Sequence, residues 1–250
     1  MQFLHAARFF IAGGVILVAA RVILFPLVPR AQAGQVPARA AVPAAALPGP
    51  VATPVSVAPV ASASTVAAYL ADAVEAERKE RGSEAVSAYE HALALDPSLS
   101  FAYLKLGVIY FRMGLPTKAE EAYLNAIEHG VSDPEVYLYL GYIKESQDKL
   151  DAALEYYAKA ELAGSGNPVL YFNMGNVQAR LAHNDKAVAY FKRAVTLKED
   201  YTDAFVNLSI ILANTGEFSD ALYYLNKAEK SGYQAPERFK KDLEEKANQK

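Results

Sequence analysis

The chain has 250 residues, 52% of them hydrophobic, with 25 basic and 28 acidic side chains and no cysteine. That length holds one sizeable domain plus further segments, and the missing cysteine excludes a disulfide framework, a thiolate nucleophile and a cysteine-based zinc site. Every acidic residue falls at or after Asp72, and Arg8, Arg21, Arg30 and Arg39 are the only basic residues before it. From residue 66 onward 28 acidic face 21 basic side chains, a net of minus seven, which excludes the clustered basic footprint that nucleic-acid phosphates require.

Residues 1–33 begin with His5 and Arg8 and then run apolar from 9 to 28, interrupted by Arg21. Twenty such residues would just span a bilayer as a helix, which makes an N-terminal membrane anchor one reading. A cleaved secretory signal is another: 9–20 supplies an apolar core and Ala31-Gln32-Ala33 a small-x-small cut, although 21–25 leaves an oddly apolar stretch between them. A transit peptide suits the lack of acids but not the scarcity of serine. Arginines flank both ends, so the positive-inside count gives no orientation. The expected localisation is a membrane-anchored protein with the remainder exported, periplasmic if bacterial; with the signal cleaved, it is a secreted or periplasmic protein.

Residues 34–65 read as an unfolded linker. Ala, Pro and Val fill 22 of these 32 positions, and prolines at 37, 43, 48, 50, 54 and 59 exclude a continuous helix or ladder.

From residue 66 one constellation returns every 34 residues. In 134–167 two amphipathic helical stretches flank the polar turn Gln147-Asp148-Lys149. Tyr137 recurs as Tyr69, Tyr103, Tyr171 and Phe205, and Gly141 as Ala73, Gly107, Gly175 and Ser209. Ala153 recurs as Ala85, Ala119, Ala187 and Ala221; Tyr157 as Tyr89, Tyr123, Phe191 and Leu225; Ala160 as Ala92, Ala126, Ala194 and Ala228. Ala153, Tyr157 and Ala160 are four and three apart and share one helical face. Gly141 and Ala153 are expected to let two backbones approach, with aromatics filling either side. A single hairpin of this size cannot bury its apolar face, so copies must stack. The divisions are 66–99, 100–133, 134–167, 168–201 and 202–235. A last helix over 236–250 covers the end of the stack with Phe239 and Leu243 and turns Lys240, Lys241, Glu244, Glu245 and Lys246 to water. Ser64 and Thr65 read as caps of a first helix starting at 66. Asp133-Pro134 and Asn167-Pro168 place a cap before a proline at the first helical position, and Gly130, Gly164 and Gly232 end helices.

The spacing Tyr103-x2-Leu106-Gly107-x2-Tyr110 followed by Ala119-x3-Tyr123, repeated at this period, resembles the tetratricopeptide repeat family over residues 66–235. Departures are local: only Pro97 marks a repeat end, and Asp72 replaces an apolar residue. The resemblance implies an all-α solenoid of five helical hairpins with a C-terminal capping helix. It also implies a non-catalytic scaffold whose concave groove, lined by the first helix of each hairpin, takes an extended peptide or a partner helix. The family's carboxylate clamp for acidic chaperone tails does not transfer, because Leu70 and Val74 stand where Lys and Asn are needed and Lys105 lacks companions.

Groove-facing positions are those the packing leaves over. Phe101, Leu104, Val108 and Phe111, spaced three, four and three, share a face, and Leu138, Tyr139, Tyr142 and Glu145 follow in the third repeat. Asn173, Asn176 and Arg180, then Asn207 and Asn214, make the later positions polar. Two readings stand side by side. In one, an apolar half takes a hydrophobic side chain or helix while asparagine amides, each offering a donor and an acceptor, hold a peptide backbone. In the other, the apolar residues pack between helices and the asparagines are solvated.

No catalytic, cofactor or metal constellation emerges. The four histidines share no spacing, Gly164-Ser165-Gly166 follows a helix and lacks a lysine, and the sequon Asn207-Leu208-Ser209 lies inside a helix. The expectation is a protein that is not an enzyme and takes no cofactor or metal. It binds a protein or peptide, not nucleic acid, and meets the membrane through its N-terminal segment, as an adaptor in assembly of an envelope complex. Alternatives are a self-associating homo-oligomer and a regulatory subunit of an enzyme.

Overall fold

A computed structural model describes residues 63–249; the expectations for the N-terminal segment and most of the linker lie outside the described residues. Among the described residues there are eleven helices and no strand: α1 (Ala63–Arg78), α2 (Gly82–Leu95), α3 (Ser100–Arg112), α4 (Pro116–Glu128), α5 (Pro134–Ser146), α6 (Leu150–Leu162), α7 (Pro168–Arg180), α8 (Asn184–Leu197), α9 (Thr202–Thr215), α10 (Phe218–Lys230) and α11 (Glu237–Ala247). They form five helical hairpins, α1–α2 through α9–α10, with α11 packed against α10. Two compact units divide them, with described parts 63–136 and 137–249; the boundary falls in the first turn of α5.

The turn inside every hairpin uses one left-handed residue, and these residues keep the 34-residue period: Glu80, Gly114, Asp148, Ala182 and Gly216, with φ of 56°, 72°, 61°, 60° and 89°. Glycine adopts this conformation freely, whereas an L side chain there is strained. Gly130, Gly164 and Gly232 end their helices in the same conformation. Asp133 Oδ1 accepts from the Glu135 N–H and Asn167 Oδ1 from the Val169 N–H, each at 2.9 Å, so both expected caps form. The first helix differs from expectation. It is already helical at Ala63, which places Ser64 and Thr65 in its first turn and shortens the linker.

What the small residue of each first helix accommodates is an aromatic ring. A Cβ added to Gly107, Gly141 or Gly175 would stand 2.5, 2.4 or 2.6 Å from the ring of Tyr123, Tyr157 or Phe191. Each ring is fully buried, and such burial contributes roughly 1.5–3 kcal/mol. At Gly141 the aromatic expected to fill the space beside the glycine is Tyr157, whose ring lies against the Gly141 backbone, and Ala153 is buried on the same helix face as Tyr157. In two hairpins the ring also carries a hydrogen bond. Tyr89 donates to Glu77 Oε1 at 2.5 Å and Tyr157 to Glu145 Oε2 at 2.7 Å. In the fourth and fifth hairpins Phe191 and Leu225 lack the hydroxyl, and Ala179 and Ala213 stand where the glutamate would be.

The expected membrane localisation is corrected. Among the described residues no helix is long and apolar enough to cross a membrane. These helices run from 11 to 16 residues, against about 20 for a span; α1 to α10 each serve as half of a short hairpin. Residues 1–33, on which the expectation rested, are not described, and no location follows from them.

Candidate partner-binding face

In the first unit the positions expected to face a groove lie on α3. Phe101 is 49% exposed. Its ring meets Tyr89 edge-on at 6.4 Å and lies under Lys105 Nζ at 5.3 Å, and that ammonium also reaches Glu77 at 3.5 Å. Leu104, Val108 and Phe111 are half-buried. A cleft of about 350 Å³ opens elsewhere in this unit, between α2, α3 and α4, and includes Glu90, Tyr103, Tyr110 and Lys118. Its polar groups are engaged with one another. Tyr110 donates to Glu90 at 2.7 Å beneath the Lys118 ammonium, and burial together with that carboxylate pushes the phenol up to about 12. None of the expected groove residues lines it.

In the second unit the corresponding side chains are more enclosed. Leu138 is buried, and Tyr139 and Tyr142 are half-buried. Glu145, expected at the groove, is buried and spent on the Tyr157 hydroxyl within its own hairpin. Phe111 occupies the equivalent place in the second repeat. Arg180 is exposed and pairs with Asp148 of the α5–α6 turn, and Asn214 is exposed. Asn173 and Asn207 are not solvated: they are 4% and 0% exposed. The Asn207 amide donates at 2.9 Å to Oδ1 of Asn176, which is half-buried. Asn207 Oδ1 is buried without a hydrogen-bond partner. Because its NH2 is committed to Asn176, the carbonyl of Asn207 has a set direction.

Around this amide pair the face is apolar. Phe172 and Val206 continue the column of Leu104 and Leu138 at the same period, and Ile210 continues the column of Val108, Tyr142 and Asn176. All three are buried at 5% or less. They are absent from the expected site, although carrying Leu138 forward by 34 and then 68 positions would have found the first two. Asp203 begins this face on α9, and burial raises its carboxyl pKa against the lowering effect of Lys198. The second-helix histidines His91 and His129 are exposed and stack on Tyr69 and Tyr103 at 5.1 and 5.0 Å.

Tetratricopeptide repeat family profiles match residues 70–128, 104–168 and 169–201, an unbroken run over α1 to α8. The chain is a tetratricopeptide repeat protein. No curated protein matches its sequence significantly. Solved structures with the same fold include MamA (22% identity, 70% of this chain and 100% of that one, TM-score 0.63). YrrB, described as a tetratricopeptide repeat protein with an unusual peptide-binding site, matches at 22% identity over 71% of this chain and 90% of that one, with TM-score 0.60. PilF of Pseudomonas aeruginosa matches at 19% identity over 74% and 88%, with TM-score 0.59. At these identities the likeness establishes the tetratricopeptide fold.

Proposed function

We propose that this tetratricopeptide protein is a non-catalytic adaptor that holds a peptide segment of a partner protein against α7 and α9. The observation that carries the proposal is Asn207. Its carbonyl oxygen is buried, unpaired and aimed by the Asn176 bond, on a face otherwise built from Phe172, Val206 and Ile210. A buried acceptor left unpaired costs about 1–3 kcal/mol. A main-chain N–H of an extended peptide recovers that loss, while apolar side chains on either side of it meet the surrounding residues. The peptide-binding site described for YrrB supports the capacity of this fold for such a ligand.

Peptides selected by display against the full chain supply the probe. Asn207→Leu is expected to weaken the best of them roughly tenfold, about the worth of one desolvated hydrogen bond, while leaving the protein as stable as before or more so. Lys192→Ala, at an exposed site on α8, is expected to leave affinity unchanged. Equal affinity for the Asn207→Leu protein overturns the proposal.

A second reading, self-association, is favoured by the half-exposed apolar side chains Val74 and Phe101 of the first unit, at 51% and 49%. Sedimentation over a concentration series decides it: a monomer throughout excludes that reading.

A further inference from the structure

The cleft of about 350 Å³ between α2, α3 and α4 lies where the second hairpin departs from the later ones. On their second helices the third, fourth and fifth hairpins carry a tyrosine and, three residues on, a cation: Tyr156 and Lys159, Tyr190 and Arg193, Tyr224 and Lys227. In the fourth hairpin both are engaged. Arg193 holds its guanidinium carbon 4.4 Å from the centre of the Tyr171 ring and pairs at 3.3 Å with Glu161 of the preceding hairpin. Tyr190 packs, partly buried, against the core. The second hairpin has Ala122 and Asn125 at these places, and both line the cleft. Two long side chains are thus exchanged for two short ones, and the cleft opens over the buried Leu93 and Leu106.

We propose that this cleft receives an arginine side chain of a partner protein. The charges around it select that occupant. Its charged residues are Glu90, Lys118 and Glu121, two carboxylates against one ammonium, and one guanidinium neutralises the remaining negative charge. Lys118 lies 5.3 Å over the Tyr110 ring and forms no ion pair among the described residues. The Tyr110 hydroxyl uses Oε1 of Glu90. Oε2 of Glu90 and the Glu121 carboxylate on α4 have no hydrogen bond or ion pair among the described residues. Both carboxylates stand near the same hydroxyl, since each adds to the effect of burial in raising the Tyr110 pKa. Acceptors on two different helices suit the planar fork of five donors that arginine carries, which the point charge of lysine does not offer. The arginine stem meanwhile covers apolar surface. His129 already stacks on Tyr103, so the guanidinium lies between Glu90 and Glu121 instead of on that ring, with its methylenes over Leu93, Leu106 and Ala122. This site belongs to the first unit and does not rest on the peptide reading at Asn207.

The probe is acetyl-Gly-Arg-Gly-amide, titrated into the isotope-labelled full chain and read from the backbone amide resonances of Leu93, Leu106, Ala122 and Asn125. Saturable shifts of these resonances are expected. The citrulline counterpart keeps the shape and loses the charge, and it is expected to bind about tenfold more weakly. Glu121→Gln, at an exposed site, is expected to weaken the arginine probe about threefold, the scale of one exposed ion pair, without changing the fold. Ala122→Tyr restores the residue of the later hairpins and is expected to abolish the shifts, and Asn125→Arg, which supplies the chain's own guanidinium, to weaken them. Asn207→Leu is expected to leave the titration unchanged, which keeps failure here apart from failure of the peptide reading. The absence of saturable shifts overturns the proposal, as does equal affinity for the citrulline probe. Undiminished binding by the Glu121→Gln or Ala122→Tyr protein overturns it too. Equal or tighter binding of the lysine or phenylalanine counterpart overturns the choice of arginine and with it the proposal.

Discussion

Replacing Gly141 by alanine tests the central packing relation of the fold. The new Cβ would stand 2.4 Å from two carbons of the Tyr157 ring, where ordinary contacts begin at 3.4 Å. The ring cannot withdraw, because it is fully buried and its hydroxyl is held by Glu145 at 2.7 Å. Overpacking of this kind costs about 1–3 kcal/mol, which lowers the melting temperature by roughly 2–4 °C per kcal/mol for a chain of this size. Tyr157→Leu alone leaves a cavity and strands the Glu145 carboxylate, for a loss of about 2 kcal/mol or more. The fifth hairpin pairs Ser209 with Leu225, so a first-helix residue larger than glycine is compatible with leucine opposite it. The double variant Gly141→Ala/Tyr157→Leu is therefore expected to be more stable than the sum of its parts by at least about 1 kcal/mol. Urea unfolding followed by circular dichroism measures the cycle, and hydrogen exchange over α5 and α6 localises it. Strict additivity, or a Gly141→Ala protein that unfolds like the parent, refutes the ring-on-glycine account.

The hairpin turns give a prediction of opposite sign. Ala182 holds φ of 60°, which costs an L-residue about 1–2 kcal/mol, and after the entropy that glycine adds to the unfolded chain Ala182→Gly is expected to stabilise by about 0.5–1 kcal/mol, read as a higher urea midpoint with unchanged slope. Asp203 gives a pH prediction. Burial raises its carboxyl pKa in the folded state, so its favourable contribution is full below the ordinary carboxylate value and is lost as pH rises through the raised one. Asp203→Asn is expected to stabilise at pH 7 and to lose that advantage in acid; equal gains at pH 7 and pH 3 contradict the assignment.

The hairpin frame was legible because one arrangement is written five times, and each copy corrects ambiguity in the others. Alanines at 153 and 160 with an aromatic between them could only be a packed face, and the caps at Asp133 and Asn167 formed because their chemistry is local. What the period could not supply was contact between helices. It marks Asn173 and Asn207 as equivalent but not what each touches: side chains lean along their helices, and Asn207 meets Asn176, 31 positions earlier. Gly141 meets Tyr157, 16 positions later, for the same reason. Glu145 was assigned to the groove by helical spacing on α5 alone, whereas its place is decided by a tyrosine on α6. The start of α1 was misjudged because Ala and Ser before residue 66 resemble the linker in composition and the helix in propensity alike.

The residues that repeat and the residues that depart from the repeat do different work. Alanine at 85, 119, 153, 187 and 221 is buried completely in every hairpin, and so repeated a choice is explained by packing alone. The column holding Ala71, Lys105, Tyr139, Asn173 and Asn207 changes chemistry at most steps, and packing does not explain its last member. Leucine repeats the branching of asparagine's side-chain heavy atoms, would suit the apolar surroundings of position 207, and would bury no unpaired carbonyl there, leaving the half-buried Asn176 to water. A fold selected only for stability has no use for an amide there at about 1–3 kcal/mol. The expense becomes intelligible if the acceptor is paired in a complex, as we propose, with recognition then lying at the end of the array where the repeat is least faithful to itself.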